Sequence, residues 1–245
     1  LLYVVDRDEI RRREAGAPPG AIYIAREAEE EIVRRESSEG AEVVAGLSRA
    51  CREAGVPFTA AIKAGSPDEE IEKQAARCDL CVAGIGSQRS SDSDAPDPEK
   101  MLAKLVKARI IPILLATSPY RPVRTVVVGC SGALHGTRAV GAMARLGLWK
   151  KECHLVLAAA DETQEKGRAR LEEAREILGD AGYPPWEEKV LPEPKTTTFP
   201  QFVAEAGADA IVLGGWGKHH WDDLFRHSLT GHSLSTRRYH LFLYM

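Results

Sequence analysis

The sequence predicts two tandem α/β units, each a doubly wound parallel sheet of five strands. Three observations carry that expectation. Short apolar, β-branched runs alternate with longer amphipathic stretches, the pattern of parallel strands joined by helical crossovers. The length, 245 residues and 26.8 kDa, suits two domains of ordinary size. And the second half of the chain repeats the first. Ala50-Cys51-Arg52-Glu53-Ala54-Gly55-Val56-Pro57 is matched by Leu178-Gly179-Asp180-Ala181-Gly182-Tyr183-Pro184, both leaving a helix for a strand. Cys78-Asp79-Leu80-Cys81-Val82-Ala83-Gly84 is matched by Ala208-Asp209-Ala210-Ile211-Val212-Leu213-Gly214. On this alignment Leu1 to Asp6 falls on Val156 to Asp161, and the first copy lacks the opening strand and helix of the second.

The elements follow in order. Leu1 to Asp6 is an apolar run that reads as a strand already under way. Arg7 to Gly40 is long and charged; Ala21, Ala25, Ala28 and Ile32 recur at helical spacing, and its charge runs read as a solvated face. Phe58 to Ala64, Leu80 to Ala83 and Ile110 to Ala116 read as strands, with helices at Pro67 to Arg77 and Glu99 to Ala108. Thr117 to Pro122 contains two prolines and links the copies, dividing the chain into domains 1–118 and 123–245. The second copy opens with the β-branched run Thr125 to Gly129 and a Cys-Ser-Gly turn. A helix at Ala133 to Leu146, a strand at His154 to Ala160 and an amphipathic helix at Gln164 to Ala181 with many i,i+4 charge pairs come next. Then come a strand at Glu187 to Leu191, a helix at Thr198 to Ala206 and a buried strand at Ala210 to Leu213. A Gly-rich loop, a helix near Ser228 to Arg237 and a closing strand at Tyr239 to Tyr244 complete it. In such sheets the first strand lies between the second and the fourth, so the first copy is expected to have a split core, its slot belonging to about 30 residues upstream of Leu1 or to another element.

Composition narrows the function. The 33 basic and 36 acidic side chains nearly cancel, and a net charge of −3 argues against a general nucleic-acid binder. No apolar stretch approaches the roughly 20 residues of a membrane span, so no membrane insertion is expected. Five cysteines in a chain this long do not read as a secreted disulfide framework. A cytoplasmic globular protein is the expectation.

Several local signatures, in order, resemble the universal stress protein family. Val126-Val127-Val128-Gly129 with Ser131-Gly132 resembles its opening strand and turn. Ala64-Gly65-Ser66-Pro67-Asp68-Glu69-Glu70-Ile71 resembles its GDPxxxI helix start. Gly207-Ala208-Asp209-Ala210-Ile211-Val212-Leu213-Gly214 resembles its fourth strand, GADLIVMG, and Ile111-Pro112-Ile113-Leu114-Leu115 its closing strand, CPVLVV. The resemblance covers most of the chain as a tandem of two family domains. It implies a Rossmann-like fold of the adenine nucleotide alpha-hydrolase type, a cytoplasmic stress-response role, and a family divided into members that bind ATP and members that do not. In the family the closing strands pair across a dimer. In a tandem chain Ile110 to Ala116 and Tyr239 to Tyr244 can pair with each other, an intrachain pseudo-dimer, since open sheet edges must be covered. Pro112 suits the start of such a strand.

The resemblance also implies a nucleotide site, for ATP or AMP. Binding members carry Gly-x2-Gly-x9-Gly-Ser/Thr after the fourth strand. Glycines let the backbone approach phosphates, and N–H groups with the following helix N-terminus hold the charge. The second copy has Gly214, Gly217 and, nine residues on, His227-Ser228. The third glycine is thus His227, whose ring takes up phosphate space, and a helix start disfavours a cationic histidine. Ser131 stands where binders have an aspartate, a weaker partner for a ribose. Lys218 could meet a phosphate or simply be solvated. The plainer alternative is that Gly214 and Gly217 permit a tight turn and Ser228 caps a helix. The first copy keeps Gly84 but has Ser87 for the second glycine, followed by an acidic stretch, Ser90 to Glu99, that would repel phosphate.

Other groupings are weaker. His219, His220, His227, His232 and His240 fall close together, without metal-ligand spacing; His219 and His220, with Trp216 and Trp221, read as loop packing or a partner surface. Cys78 and Cys81 form one C-x-x-C at a strand start, not at the helix start of a redox pair, and read as a buried strand cysteine. The glycines around Ser131 do not follow the pattern of a nucleophile elbow, and no acid–histidine pairing can be assigned to it. No catalytic or metal residue is assigned, and an enzymatic reading reaches no further than slow ATP hydrolysis. Two functional readings remain, a nucleotide-responsive regulator and a scaffold of the same fold without nucleotide.

Overall fold

In the computed structural model the described residues are 1–7, 10, 22–75, 77–84, 111–117, 119–151, 153–214 and 238–244. The chain divides into two compact units, Leu1–Gln74 and Ala75–Met245.

In the first unit, strand β1 (Leu2–Asp6) pairs in parallel with β2 (Ala61–Gly65), from Leu2↔Ala61 to Asp6↔Gly65. Helix α1 (Ile22–Glu53) connects them, and α2 (Pro67–Ala75) follows β2. Gly40 of α1 lies against the Tyr3 ring, so close that a Cβ would stand 2.4 Å from Tyr3 Cδ1. Burial, with Glu36 and Glu39 nearby, raises the Tyr3 phenol above its ordinary value. The helix whose spacing is legible at 21–32 runs on to Glu53, where the stretch Ala50 to Pro57 reads as a helix end, and Gly40 within it admits the ring. One expectation is corrected. The strand expected from Phe58 begins at Ala61, where the Ala61 N–H donates to the Leu1 carbonyl at 2.9 Å.

The second unit is built on a seven-stranded sheet of order β3-β4-β9-β8-β5-β6-β7. Its strands are β3 (Cys81–Gly84), β4 (Ile113–Ala116), β5 (Thr125–Gly129), β6 (His154–Ala160), β7 (Glu187–Leu191), β8 (Ala210–Gly214) and β9 (His240–Tyr244). Helices α3 (Leu134–Arg145), α4 (Gln164–Asp180) and α5 (Lys195–Glu205) are its crossovers. The order β9-β8-β5-β6-β7 is the doubly wound five-stranded arrangement read from the sequence. Continuous apolar runs on β5, β6 and β8 are buried on both faces, as parallel central strands require. Val126, Val128, Leu155, Leu157, Val212 and Phe242 form the core with Val140, Met143, Leu171 and Leu178 from α3 and α4.

Local chemistry sets the helix ends. The Thr163 hydroxyl accepts from the Lys166 N–H and caps α4, and Gly182, at φ +64°, ends it. Tyr183 then turns inward, its hydroxyl donating to the carbonyls of Leu148 and Met143 at 2.8 and 3.1 Å, and burial pushes it up to about 12. Helix α5 starts at Lys195, earlier than its pattern suggests, and holds Pro200 in its second turn. At the outer edge, β7 is charged: Arg175 forks onto Glu188 at 2.7 Å, which holds that carboxyl below the ordinary range.

The two closing strands are neighbours. β4 runs antiparallel to β9, with Ile113↔Leu243, Leu114↔Phe242 and Leu115↔Leu241, so neither is an edge. Pro112 stands just outside β4, and its carbonyl accepts the Cys81 N–H. The segment leading to β5 is tied to the start of β9 by His240, which is buried. Its Nδ1 accepts the Thr117 N–H at 3.3 Å, and Nε2 lies 2.9 Å from the Arg121 carbonyl. That histidine therefore belongs to the core. Among the described residues β3 pairs only with β4 and β1 only with β2, so the first copy's strands lie in two separate sheets, with no counterpart of β5 between them in pairing order.

Candidate functional site

At β5 the order of the strands reverses. β5 connects to β6 on one side, and β8 pairs on its other side. Such a switch point leaves a crevice where ligands of open α/β sheets bind.

The residues there are held unusually close. A Cβ on Gly129 would stand 2.7 Å from Leu213 Cδ2. Cys130 follows, its N–H on the Ala158 carbonyl at 2.8 Å; burial pushes its thiol up to about 12, so it stays neutral. Ser131 is half-buried and its Oγ accepts the Ala133 N–H at 3.3 Å. Gly132, at φ +66°, makes the turn. Helix α3 then begins at Leu134 with no side-chain cap, and its first turn closes by the Gly136 N–H donating to the Ala133 carbonyl at 2.8 Å. A Cβ on Gly136 would meet Ser131 Oγ at 2.8 Å. One on Gly214 would meet the Gly136 N and Cα at 2.3 and 2.4 Å. The last residue of β8 and the first turn of α3 thus touch backbone to backbone, with Ser131 beside them. Close approach to α3, and not a tight turn alone, is what Gly214 provides.

Across β6, Asp161 is 6% exposed. Its Oδ1 accepts the Glu162 N–H at 2.8 Å, and Arg170 Nε stands 2.7 Å from Oδ2. Arg170 Nη1 also donates to the Ser131 carbonyl at 3.1 Å, and its side chain lies over Gly132. Burial alone would raise the Asp161 carboxyl; the Arg170 charge and the N–H groups of Glu162 and Thr163 outweigh it and hold the group below the carboxylate range. Nearby, Lys195 at the start of α5 is lowered by burial and by the charge of Arg170, against the pull of Glu193. His135 Nδ1 is buried and has no hydrogen-bond partner among the described residues.

Of the residues the sequence singles out, the structure brings Ser131 and Gly214 together through Gly136. Gly217, Lys218, His227 and Ser228 lie outside the described residues, as do His219, His220, His232, Trp216, Trp221, Ser87 and the acidic stretch 90–99. The C-x-x-C reading is corrected: Cys78 is exposed and Cys81 half-buried, and the buried strand-end cysteine is Cys130. Among the described residues no three His, Cys, Asp or Glu side chains cluster as metal ligands, and no helix is long and apolar enough to cross a membrane. Sequence reasoning missed Asp161 and Arg170. The repeat alignment sets Asp161 opposite Asp6, which is a signal; Arg170 is one charge among many on α4 and carries none.

No family model matches the sequence, and neither does any curated protein. Solved structures do match. A universal stress protein from Archaeoglobus fulgidus DSM 4304 superposes with a TM-score of 0.58 at 18% identity, over 86% of this chain and 78% of its own. A putative universal stress protein from Pseudomonas aeruginosa UCBPP-PA14 gives 0.52 at 13% identity, over 99% and 91%. A universal stress protein in complex with cAMP aligns over 51% of this chain and 99% of its own, with a TM-score of 0.40 and 19% identity. The α/β fold is the one shared with the Archaeoglobus fulgidus and Pseudomonas aeruginosa proteins.

Proposed function

We propose that this chain is a universal stress protein of the tandem type, a cytoplasmic stress-response regulator that takes an adenine nucleotide, ATP or AMP, in its second copy. The site is the crevice beyond β5 and β8. Ser131 serves the nucleoside end, and Gly214, Gly217, Lys218, His227 and Ser228 serve the phosphates. The observation that carries the reading is the close contact of Gly214 with the uncapped first turn of α3 at the switch point, where ligands of open α/β sheets bind. The antiparallel pairing of β4 with β9 supports a second element: domains 1–118 and 123–245 joined as an intrachain pseudo-dimer through their closing strands.

A scaffold without nucleotide is the alternative, favoured by Arg170. It occupies the Asp161 carboxylate and the Ser131 carbonyl, and His227 adds bulk where binders have glycine. Calorimetry with ATP and with AMP on the full chain separates the two. The regulator reading expects weak binding, with Kd on the order of 10⁻⁴ M, lost in Gly217→Val. Silence in the wild type with binding gained in His227→Gly identifies a decayed site and hence the scaffold. Silence in both overturns the nucleotide reading.

A further inference from the structure

One peptide in the turn between β5 and α3 is oriented from outside the turn. The Ser131 carbonyl accepts from Arg170 Nη1 at 3.1 Å. The peptide that joins Ser131 to Gly132 is trans, so its N–H points opposite to its carbonyl. The Gly132 N–H therefore faces away from the Arg170 guanidinium. Gly132 is exposed at φ +66°, and its N–H has no partner among the described residues.

The reverse orientation is open to this turn. Turning the 131–132 peptide over takes the second residue from positive to negative φ, as between type II and type I turns, and glycine accepts both. It would put a carbonyl where the N–H now stands. Arg170 selects the observed state. Its Nε stands 2.7 Å from Asp161 Oδ2. Asp161 is itself fixed: it is 6% exposed, its Oδ1 accepts the Glu162 N–H at 2.8 Å, and its own N–H donates to the Leu191 carbonyl at 3.0 Å. A guanidinium is planar, so anchoring Nε directs Nη1. The arm lies on the turn, with Cγ 3.0 Å from where a Gly132 Cβ would stand. In the reversed peptide the Gly132 N–H would face the guanidinium, donor against donor. The arm also belongs to one copy. Aligned through Gly55 and Gly182, the first copy has Val43 at the place of Arg170, although Asp6 keeps the place of Asp161. The arginine goes with the copy that retains Gly214 and Gly217.

We propose that Arg170 is a positioning residue for the crevice: braced on Asp161, it holds the 131–132 peptide so that the Gly132 N–H faces the ligand. This role rests on the nucleotide reading, in which Ser131 serves the nucleoside end. The partner of the donor is then an acceptor atom of the nucleoside, a ribose oxygen or a ring nitrogen of the base. Arg170 thus withdraws the Asp161 carboxylate and the Ser131 carbonyl from the crevice and leaves a donor in their place.

The full chain, isotopically labelled, is titrated with ATP and followed by backbone chemical shifts, which read weak binding. The variants are Arg170→Met, Arg170→Lys, Gly132→Ala, and the double variant carrying Arg170→Met with Gly132→Ala. Arg170→Met frees the carbonyl, and Gly132→Ala disfavours positive φ. Each is expected to weaken ATP binding about tenfold, as for one lost hydrogen bond. Both act on one peptide, so the double variant is expected to lose no more than either single one, whereas independent packing losses add. Arg170→Lys keeps one contact and is expected to lose less than Arg170→Met. Without nucleotide, Arg170→Met is expected to move the Ser131 carbonyl-carbon shift in the same direction as Gly132→Ala. Where Arg170→Met unfolds the chain, Asp161→Asn, which keeps the shape of the side chain and removes its charge, takes its place in the cycle. Additive losses, an Arg170→Met chain that binds ATP as well as wild type, or a Ser131 shift that the substitution leaves unmoved each overturn the proposal. A wild type that binds neither ATP nor AMP overturns the nucleotide reading, and with it the nucleoside as partner of the donor; the ligand-free shift then decides by itself whether Arg170 sets the peptide.

Discussion

At Gly214 the need for glycine is independent of any ligand. A Cβ there would meet the Gly136 nitrogen at 2.3 Å and the His135 carbonyl carbon at 2.4 Å, and these are backbone atoms that cannot swing aside. Gly214→Ala is therefore expected to cost about 1–3 kcal/mol of stability without nucleotide present, seen as a lower denaturant midpoint. An unchanged midpoint would mean that β8 and α3 do not touch in solution. The Asp161–Arg170 pair makes a pH-dependent prediction. The folded carboxyl is held below its ordinary value, so its contribution to stability is complete above the unfolded value of about 3.9 and is lost as pH falls through the folded one. Arg170→Met is expected to lower the melting temperature at pH 7, and the difference from wild type should shrink toward pH 3. A difference that stays constant would assign the loss to packing over Gly132. Ser131 and Gly214 are legible in the sequence because the one follows and the other ends a recognisable strand. Asp161 and Arg170 are not, because their meeting depends on how α4 lies across two strand ends.

Elements with strong local signals were legible, and those decided by a distant contact were not. β5, β6 and β8 carry continuous apolar runs, and α4 carries a threonine cap and a terminal glycine, so their extents follow from residues within them. The fit of the Tyr3 ring at Gly40 of α1, and the start of β2 in register with β1, are set by distant contacts; neither is written locally. The early start of α5 is hidden by three threonines and a proline, poor helix formers that tertiary context overrides. The meeting of β4 and β9 follows from edge logic, since two apolar closing strands each need a neighbour. Phe242 lies opposite Leu114, is 0% exposed and meets the Trp149 ring edge-on at 6.3 Å. Phe242→Ala is expected to cost about 3–5 kcal/mol and to accelerate amide exchange in both closing strands. Exchange that quickens in β9 alone would separate the two strands energetically.

The two compact units bury their apolar residues unequally, and that sets an order of stability. In Ala75–Met245 three central strands are sealed on both faces, and Val126, Leu155, Leu157, Met143, Leu171, Leu178, Val212 and Phe242 are wholly enclosed. In Leu1–Gln74 a two-stranded sheet leans on one long helix. Val5 is buried, but Val43, Leu47, Val56 and Ile62 are exposed by 51, 49, 52 and 37%. Among the described residues, two strands and two helices enclose too little to be independently stable by much, and regions with few enclosed apolar contacts open at lower free energy than central strands. Native-state amide exchange should therefore divide the chain. Amides of β5, β6 and β8 should exchange last, through global unfolding, and their rates should follow the stability measured with denaturant. Amides of β1 and β2 should exchange earlier, through an opening that leaves the larger unit intact and depends little on denaturant. Equal protection in β1 and β5 would mean that the whole chain unfolds as one cooperative body, so that the repeat read in the sequence survives as history and not as two units of stability.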